Sequence, residues 1–85
     1  MRNLGPVSRK MLESAGIKNP HDLREQGAIA AFIAVKKAGH QPSLNLLWAL
    51  EGALSDRPWQ EIARLDRLPL LLRLEDFERD GGFTA

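Results

Sequence analysis

Ser43-Leu44-Asn45-Leu46-Leu47-Trp48-Ala49-Leu50-Glu51-Gly52-Ala53-Leu54 is the stretch that decides the fold of this 85-residue chain. Pro42 precedes it, and since proline is poorly tolerated inside a helix, a new helix starts here with Ser43 as its N-cap. Apolar residues recur at helical spacing on one side, and the opposite stripe is small rather than charged. A helix at the surface carries more charge than this. We therefore predict a central helix that other helices cover on most sides.

Three helices are predicted before this stretch. Gly5-Pro6 opens the first helix and Gly16 ends it, whereas Asn19-Pro20 opens a short second helix that Gly27 ends. Residues 28–38 form the third. The inward side chains of these helices are apolar residues at helical spacing: Val7, Met11, Leu12, Ala15, Leu23, Ile29, Phe32, Ile33 and Val35.

Two helices are predicted after the central one. Residues 58–62 form at most two turns, and Asp66 caps a last helix whose first turn accommodates Pro69. The inward residues are again apolar: Trp59, Ile62, Leu68, Leu71, Leu72 and Phe77, with Leu70 and Leu74 beside them. We expect residues 80–85 to be a disordered tail. No segment alternates as a strand does, so the prediction is one all-α domain over residues 1–85, a compact bundle of five to six short helices.

The composition narrows the classes of protein to which the chain can belong. Eighty-five residues make one domain, and the absence of cysteine excludes disulfides and thiolate metal sites. No apolar run approaches the roughly 20 residues of a membrane span, and the N-terminus lacks the apolar stretch of a signal peptide. We expect a cytoplasmic protein with no membrane partner, no cofactor and no small-molecule substrate.

Charge is distributed unevenly along the chain. The net charge is +1, but residues 1–42 carry +4 and residues 43–85 carry −3. A basic half can face phosphates or an acidic protein. The simpler interpretation is that both halves present ordinary solvated faces.

Several short motifs resemble one known family. They are Gly5-Pro6-x-Ser8, Met11-Leu12, Ala15-Gly16-Ile17, Asp22-Leu23, Gly27-Ala28, the central stretch quoted above, and Trp59. Together, from Leu4 to about Trp59, they resemble the C-terminal domain of the TfoX/Sxy proteins, regulators of natural DNA transformation in bacteria. The resemblance implies a small helical domain in the SAM-like, helix-hairpin-helix-related group, a role in competence and no enzymatic activity. Such regulators carry an additional N-terminal domain, for which 85 residues leave no room, so we expect a standalone domain.

A candidate nucleic-acid site lies at the first helix. The turn that Gly5 begins resembles a helix-hairpin-helix motif, in which free backbone amides at a helix N-terminus hold a phosphate oxygen. Basic side chains would add salt-sensitive contacts that do not depend on sequence. The candidate residues are Gly5, Val7, Ser8, Arg9, Lys10, Lys36 and Lys37. The alternative is that Gly5-Pro6 only starts a packed helix.

A candidate protein-interaction site lies on the flank of the central helix. Trp48 is a potential exposed anchor there, beside Leu44 and the small residues Ala49 and Gly52. The partner is another protein or a second copy of the chain, since a small domain with a thin stability margin gains from association. The alternative is that Trp48 is a core aromatic residue.

No catalytic constellation or metal site is predicted. His21 and His40 have no ligand spacing, and Glu75, Asp76, Glu78 and Asp80 form a solvated helix face. The sequence therefore favours a non-enzymatic interaction module, with weak sequence-independent DNA binding as the alternative.

Overall fold

Helix α3 (Leu44–Ser55) lies at the centre of the computed structural model, which describes residues 4–79. Residues 46–50 and Gly52 are all buried, so the helix is covered on most of its circumference, as predicted. It packs mainly against α2 (Pro20–Lys37) and against the segment that begins at Trp59. Ser43 occupies the N-cap position, although its side chain makes no capping hydrogen bond.

Helix α1 (Pro6–Ser14) ends at the glycine that the sequence indicates. Gly16 has a φ of +88°, and the backbone N–H of Ile17 donates to the carbonyl of Leu12 at 2.8 Å. This is the Schellman arrangement, in which an apolar residue beyond the glycine folds back on the last turn. Leu12 and Ile17 are both fully buried. Val7 was predicted to face inward and is instead 72% exposed, because Leu4, just before the helix, covers the core at this end.

Helix α2 starts as predicted, with the Asn19 side chain as its cap. Asn19 Oδ1 accepts a hydrogen bond from the backbone N–H of Asp22 at 2.9 Å, and Asp22 Oδ2 accepts one from the N–H of Lys18 at 3.1 Å. Gly27 interrupts the helical geometry with φ +82° and ψ 164°. The predicted second and third helices are thus two arms of one kinked element.

The C-terminal helical segments follow one another without a break. α4 (Trp59–Glu61) leads through a π-helical turn (Ile62–Asp66) into α5 (Arg67–Arg79). Pro69 accounts for the wide turn, because proline has no N–H for the carbonyl four residues earlier and its ring clashes with that carbonyl. That carbonyl belongs to Leu65, inside the turn. Asp66 was predicted to cap a separate helix, and this is wrong, since it lies within the turn.

The wide turn also sets which leucines of α5 are buried. Leu70 and Leu74 face the core, whereas Leu68 and Leu72, both predicted to face inward, are 66% and 53% exposed. Leucines occur on several sides of this helix, so their spacing alone does not select a face. The extra residue of a π turn rotates everything after it by about 100° relative to a regular helix.

The remaining expectations concern the chain ends and membranes. The predicted tail at residues 80–85 lies outside the described residues. Within residues 4–79, no helix combines the length and the apolar character that a membrane crossing requires.

We expect Gly27→Ala to destabilise the domain by about 1–3 kcal/mol, because the φ and ψ of Gly27 lie in a region that is essentially reserved for glycine. A steric clash is not the reason, since a methyl group here would meet no atom within 4 Å. The thermal midpoint should fall by about 4–8 °C for each kcal/mol.

Gly5→Ala is the matched control for this change. Gly5 has an ordinary φ of −81° and equally open surroundings. Its replacement should change stability by no more than about 0.5 kcal/mol. Equal melting curves for the two variants would contradict the strain that we assign to Gly27.

Candidate interaction surfaces

The first turn of α1 is open to solvent. Gly5 precedes it in an extended conformation and provides no side-chain cap, and Pro6 has no N–H. The amides of Val7 and Ser8 belong to the first turn, whose N–H groups have no carbonyl partner within a helix. Arg9 is exposed beside them. This turn can therefore present donors to an anion, as the sequence predicts.

The two lysines of the predicted nucleic-acid set lie at the other end of α1. The Ser14 hydroxyl and His40 Nε2 form a 2.8 Å hydrogen bond, which joins the end of α1 to the loop just after α2. Lys36 and Lys37 are in the last turn of α2, near this junction. Since α1 is about 13 Å long, these lysines and the free amides mark its opposite ends. Lys36 Nζ also lies 5.5 Å from the ring centroid of Phe32.

The predicted flank of α3 is largely closed. Trp48 and Ala49 are 5% and 7% exposed, Gly52 is buried as well, and only Leu44 among the four candidates reaches the surface, at 39%. The prediction of an exposed surface at Trp48, Ala49 and Gly52 is therefore wrong. The reason is that α2 and the segment from Trp59 to Asp66 both pack on α3. Trp48 is a core aromatic residue.

A cleft of about 220 Å³ connects the two predicted sites. Ser8 and Met11 line it from α1, and Asn45 and Ala49 line it from the first half of α3. Trp59 lines it as well. Ser8 was assigned to nucleic-acid binding and Ala49 to protein binding, but the fold places them in the same depression.

The most exposed apolar feature of α5 and the turn before it was not predicted as a site. Leu65, Leu68 and Leu72, which we call the leucine stripe, are 58%, 66% and 53% exposed. Leu68 and Leu72 are four residues apart on one face of α5, and Leu65 precedes them within the wide turn. The many leucines from position 65 onward were the sequence feature that could have indicated this surface. Their helical spacing was equally consistent with a buried face, so it did not distinguish the two.

A comparison with protein families identifies the chain. A family model described as the TfoX C-terminal domain matches residues 1–74. The chain belongs to the TfoX C-terminal domain family. The resemblance noted from the sequence is thereby confirmed.

A curated relative of this TfoX C-terminal domain is the DNA transformation protein TfoX of Haemophilus influenzae. The two are 32% identical over 83 residues, which are 98% of this chain and 38% of the relative. The chain thus spans about two fifths of the length of that protein. No solved structure matched the chain.

Arg57 holds the wide turn of this TfoX C-terminal domain against the loop that follows α3. Its guanidinium donates to both carboxylate oxygens of Asp66, at 2.8 and 3.1 Å, and its Nε lies 3.3 Å from Glu61 Oε1. The hydrogen bonds from Arg57 lower the pKa of the Asp66 carboxyl, and the same contact raises the pKa of Arg57. The cluster joins two segments and places no reactive group in a cleft.

Within residues 4–79, no group of three or more His, Asp or Glu side chains could hold a metal ion. His21 Nε2 lies 3.0 Å from Glu25 Oε1 in an exposed pair on α2, and His40 contacts Ser14. Both histidines are thus engaged with neighbours at the surface or in a loop.

Acid should remove the contribution of Asp66 to stability. Because the pKa of Asp66 is lower in the folded chain than in the unfolded one, its stabilising effect is complete above the unfolded value, near pH 4. It is lost as the pH falls through the lower, folded value. We expect Asp66→Asn to be less stable than the wild type at pH 7, with the difference shrinking between about pH 5 and pH 2.

Urea unfolding across this pH range measures the effect, and Glu75→Gln, which changes an exposed carboxylate on α5, is the control. If the difference in unfolding free energy between the wild type and Asp66→Asn does not change with pH, the role that we assign to the Arg57 contact is contradicted.

Proposed function

We propose that this domain is a non-enzymatic module that acts by protein contact in the regulation of competence for DNA transformation. The leucine stripe is the observation that carries the proposal. Three neighbouring leucines, each more than half exposed, are unusual on a small domain, and contiguous exposed apolar surface marks sites of protein contact.

Family membership supplies the biological context for this proposal. The TfoX C-terminal domain match covers most of the chain, and the relative in Haemophilus influenzae is named a DNA transformation protein. Since the chain spans 38% of that relative, we assign the role of the whole relative to this chain only as part of the proposal. A regulator of this kind is expected to act in the cytoplasm.

A chimera tests the proposal. The segment of Haemophilus influenzae TfoX that matches this chain is replaced by the chain itself, and transformation frequency is compared with the native protein and with a deletion of that segment. We expect the chimera to exceed the deletion clearly. In the chimera, Leu68→Glu should lower the frequency towards that of the deletion, because a charge on the stripe would oppose burial against a partner.

Gln41→Glu is the control, since Gln41 is exposed, gains the same negative charge and belongs to neither candidate site. The proposal would be contradicted by a folded chimera that transforms no better than the deletion, or by a Gln41→Glu chimera that loses as much activity as the Leu68→Glu chimera.

Weak DNA binding that does not depend on sequence is the second candidate. The open first turn of α1 favours it, because the amides of Val7 and Ser8 lie beside the exposed Arg9 and Lys10. Helix N-termini with basic side chains are suited to phosphate oxygens. Lys36 and Lys37 would contact the backbone at the other end of α1.

Fluorescence anisotropy with a labelled random DNA duplex tests this candidate. Binding should weaken steeply with salt, and Arg9→Glu/Lys10→Glu should reduce the slope of log K against log[salt] by about 2 while leaving the helical content unchanged. Arg67→Glu/Arg73→Glu, which reverses two exposed charges on α5, is the control. Binding that responds equally to both double variants would reject the site.

We also propose that the fold is related to the SAM-like and helix-hairpin-helix domains. The support is the short α1, its glycine-ended turn and the immediate return of the chain into α2. An experimental structure that superimposes on no such domain would overturn this relation.

A further inference from the structure

The cleft between α1 and the first half of α3 has the size of a site for one inserted group. Its volume is about 220 Å³, below the roughly 300–1,000 Å³ of pockets that enclose a drug-sized ligand. Residues of both helices line it, so a group that enters contacts protein from two elements. The cleft therefore suits a single ring system that belongs to a larger molecule.

The lining of the cleft combines neutral polar groups with apolar surface. Ser8, Ser43 and Asn45 contribute hydroxyl and amide groups, and within residues 4–79 none of these side chains hydrogen-bonds to another protein group. Met11 and Trp59, both half-buried, supply apolar surface. None of the described residues that line the cleft is charged. The matching occupant is therefore neutral, has an apolar face and can hydrogen-bond at its edge.

A nucleobase has this combination of properties. An indole such as that of Trp59 is a surface on which any base can stack, because every base has a π face. The amide of Asn45 offers both a donor and an acceptor, so it can pair with the edge of a base. The hydroxyls of Ser8 and Ser43 can act in either sense.

The cleft adjoins the open first turn of α1. Ser8 belongs to both, since its amide is in that turn and the residue also lines the cleft. In a nucleotide, one sugar joins a neutral base to an anionic phosphate, so the two neighbouring sites match the two parts of one nucleotide. Arg9 and Lys10 follow Ser8 and are exposed. They need not line the cleft, because attraction to further phosphates extends over about 8 Å at physiological salt.

We propose that the cleft receives one unpaired base of single-stranded DNA while the amides of Val7 and Ser8 hold an adjacent phosphate. The inference rests on the second candidate function, weak DNA binding, and names the form of DNA that this site takes. In a duplex the bases are stacked and paired, and extracting one costs free energy, whereas a single strand offers its bases directly.

A comparison of two strands with equal phosphates tests the cleft. Fluorescence anisotropy measures the binding of a labelled oligodeoxyadenylate of about 12 nucleotides and of an abasic strand of the same length. The strand with bases should bind at least about fivefold more tightly, which is the lower end for one stacked base. Equal affinity for the two strands overturns the proposal.

Asn45→Ala tests the hydrogen-bonding edge of the cleft. Asn45 is exposed, so the variant should keep its fold, which circular dichroism checks. Affinity for the strand with bases should fall about two- to tenfold, and affinity for the abasic strand should stay unchanged. Gln26→Ala is the matched control, because Gln26 is an exposed amide on α2 that does not line the cleft. Equal effects of the two variants on the strand with bases contradict the assignment.

Tryptophan emission gives an independent measure of stacking. Trp59 is half-buried in the cleft, whereas Trp48 is 5% exposed in the core. Saturation with the strand that carries bases should quench part of the emission, and saturation with the abasic strand should not. Equal quenching by both strands would show that no base reaches Trp59.

A free nucleotide offers the same base and phosphate, so competition separates the two sources. We expect deoxyadenosine monophosphate to displace the strand only at millimolar concentration, because the strand also places further phosphates near Arg9 and Lys10. Displacement at micromolar concentration would assign the cleft to a free nucleotide and overturn the proposal for a strand.

The inference and the function on which it rests fail in different measurements. If both strands bind equally and the binding falls with salt, DNA binding through phosphates remains and the base site is rejected. If neither strand nor the duplex binds at low salt, the DNA-binding candidate and the base site are both rejected.

Discussion

Burial of α3 is the constraint on which the remaining structure depends. This helix is apolar or small on nearly all sides, and residues 46–50 together with Gly52 are removed from water. An isolated helix of 12 residues is marginal in water, so α3 exists because its neighbours cover it. The arms of α2 and the run that begins at Trp59 supply that cover, and α1 adds to the core through Leu12. In a domain this small, each covering element contributes a large share of the total stability.

The exposure of the leucine stripe follows from the way in which the C-terminal helical run packs against α3. Ile62 is fully buried and anchors the start of the C-terminal run against α3. Pro69 then forces a wide turn, Arg57 holds that turn through Asp66, and the leucines beyond it are rotated. Leu70 and Leu74 reach the core as a result, and the stripe is left outside. The exposure of Leu68 and Leu72 is therefore a consequence of backbone chemistry at one proline.

Local signals made much of this fold predictable. The Asn19 cap, the Gly16 stop and the central α3 each depend on a few adjacent residues, and each is confirmed. The phase of α5 was not predictable, because leucines surround that helix and because Pro69 alone does not determine whether the helix kinks, breaks or forms a wide turn. Trp48 was misjudged for a related reason. It lies on the flank of α3, where the packing of other helices decides whether a side chain is covered.

Neighbours along the chain are also neighbours in space in this domain. α1 packs on α2, α2 on α3, and α3 on α4, while the contact between α2 and α5 joins elements farther apart. Chains whose contacts are mostly local pay little loop-closure entropy on the way to the folded state, and helical domains of this kind fold in microseconds to milliseconds. α5 is held to the rest of the domain mainly through α2 and the wide turn. Elements with few contacts to distant parts of the chain are the ones that local unfolding reaches most readily, so the outer leucines of α5 lie on a part of the domain that is expected to open easily.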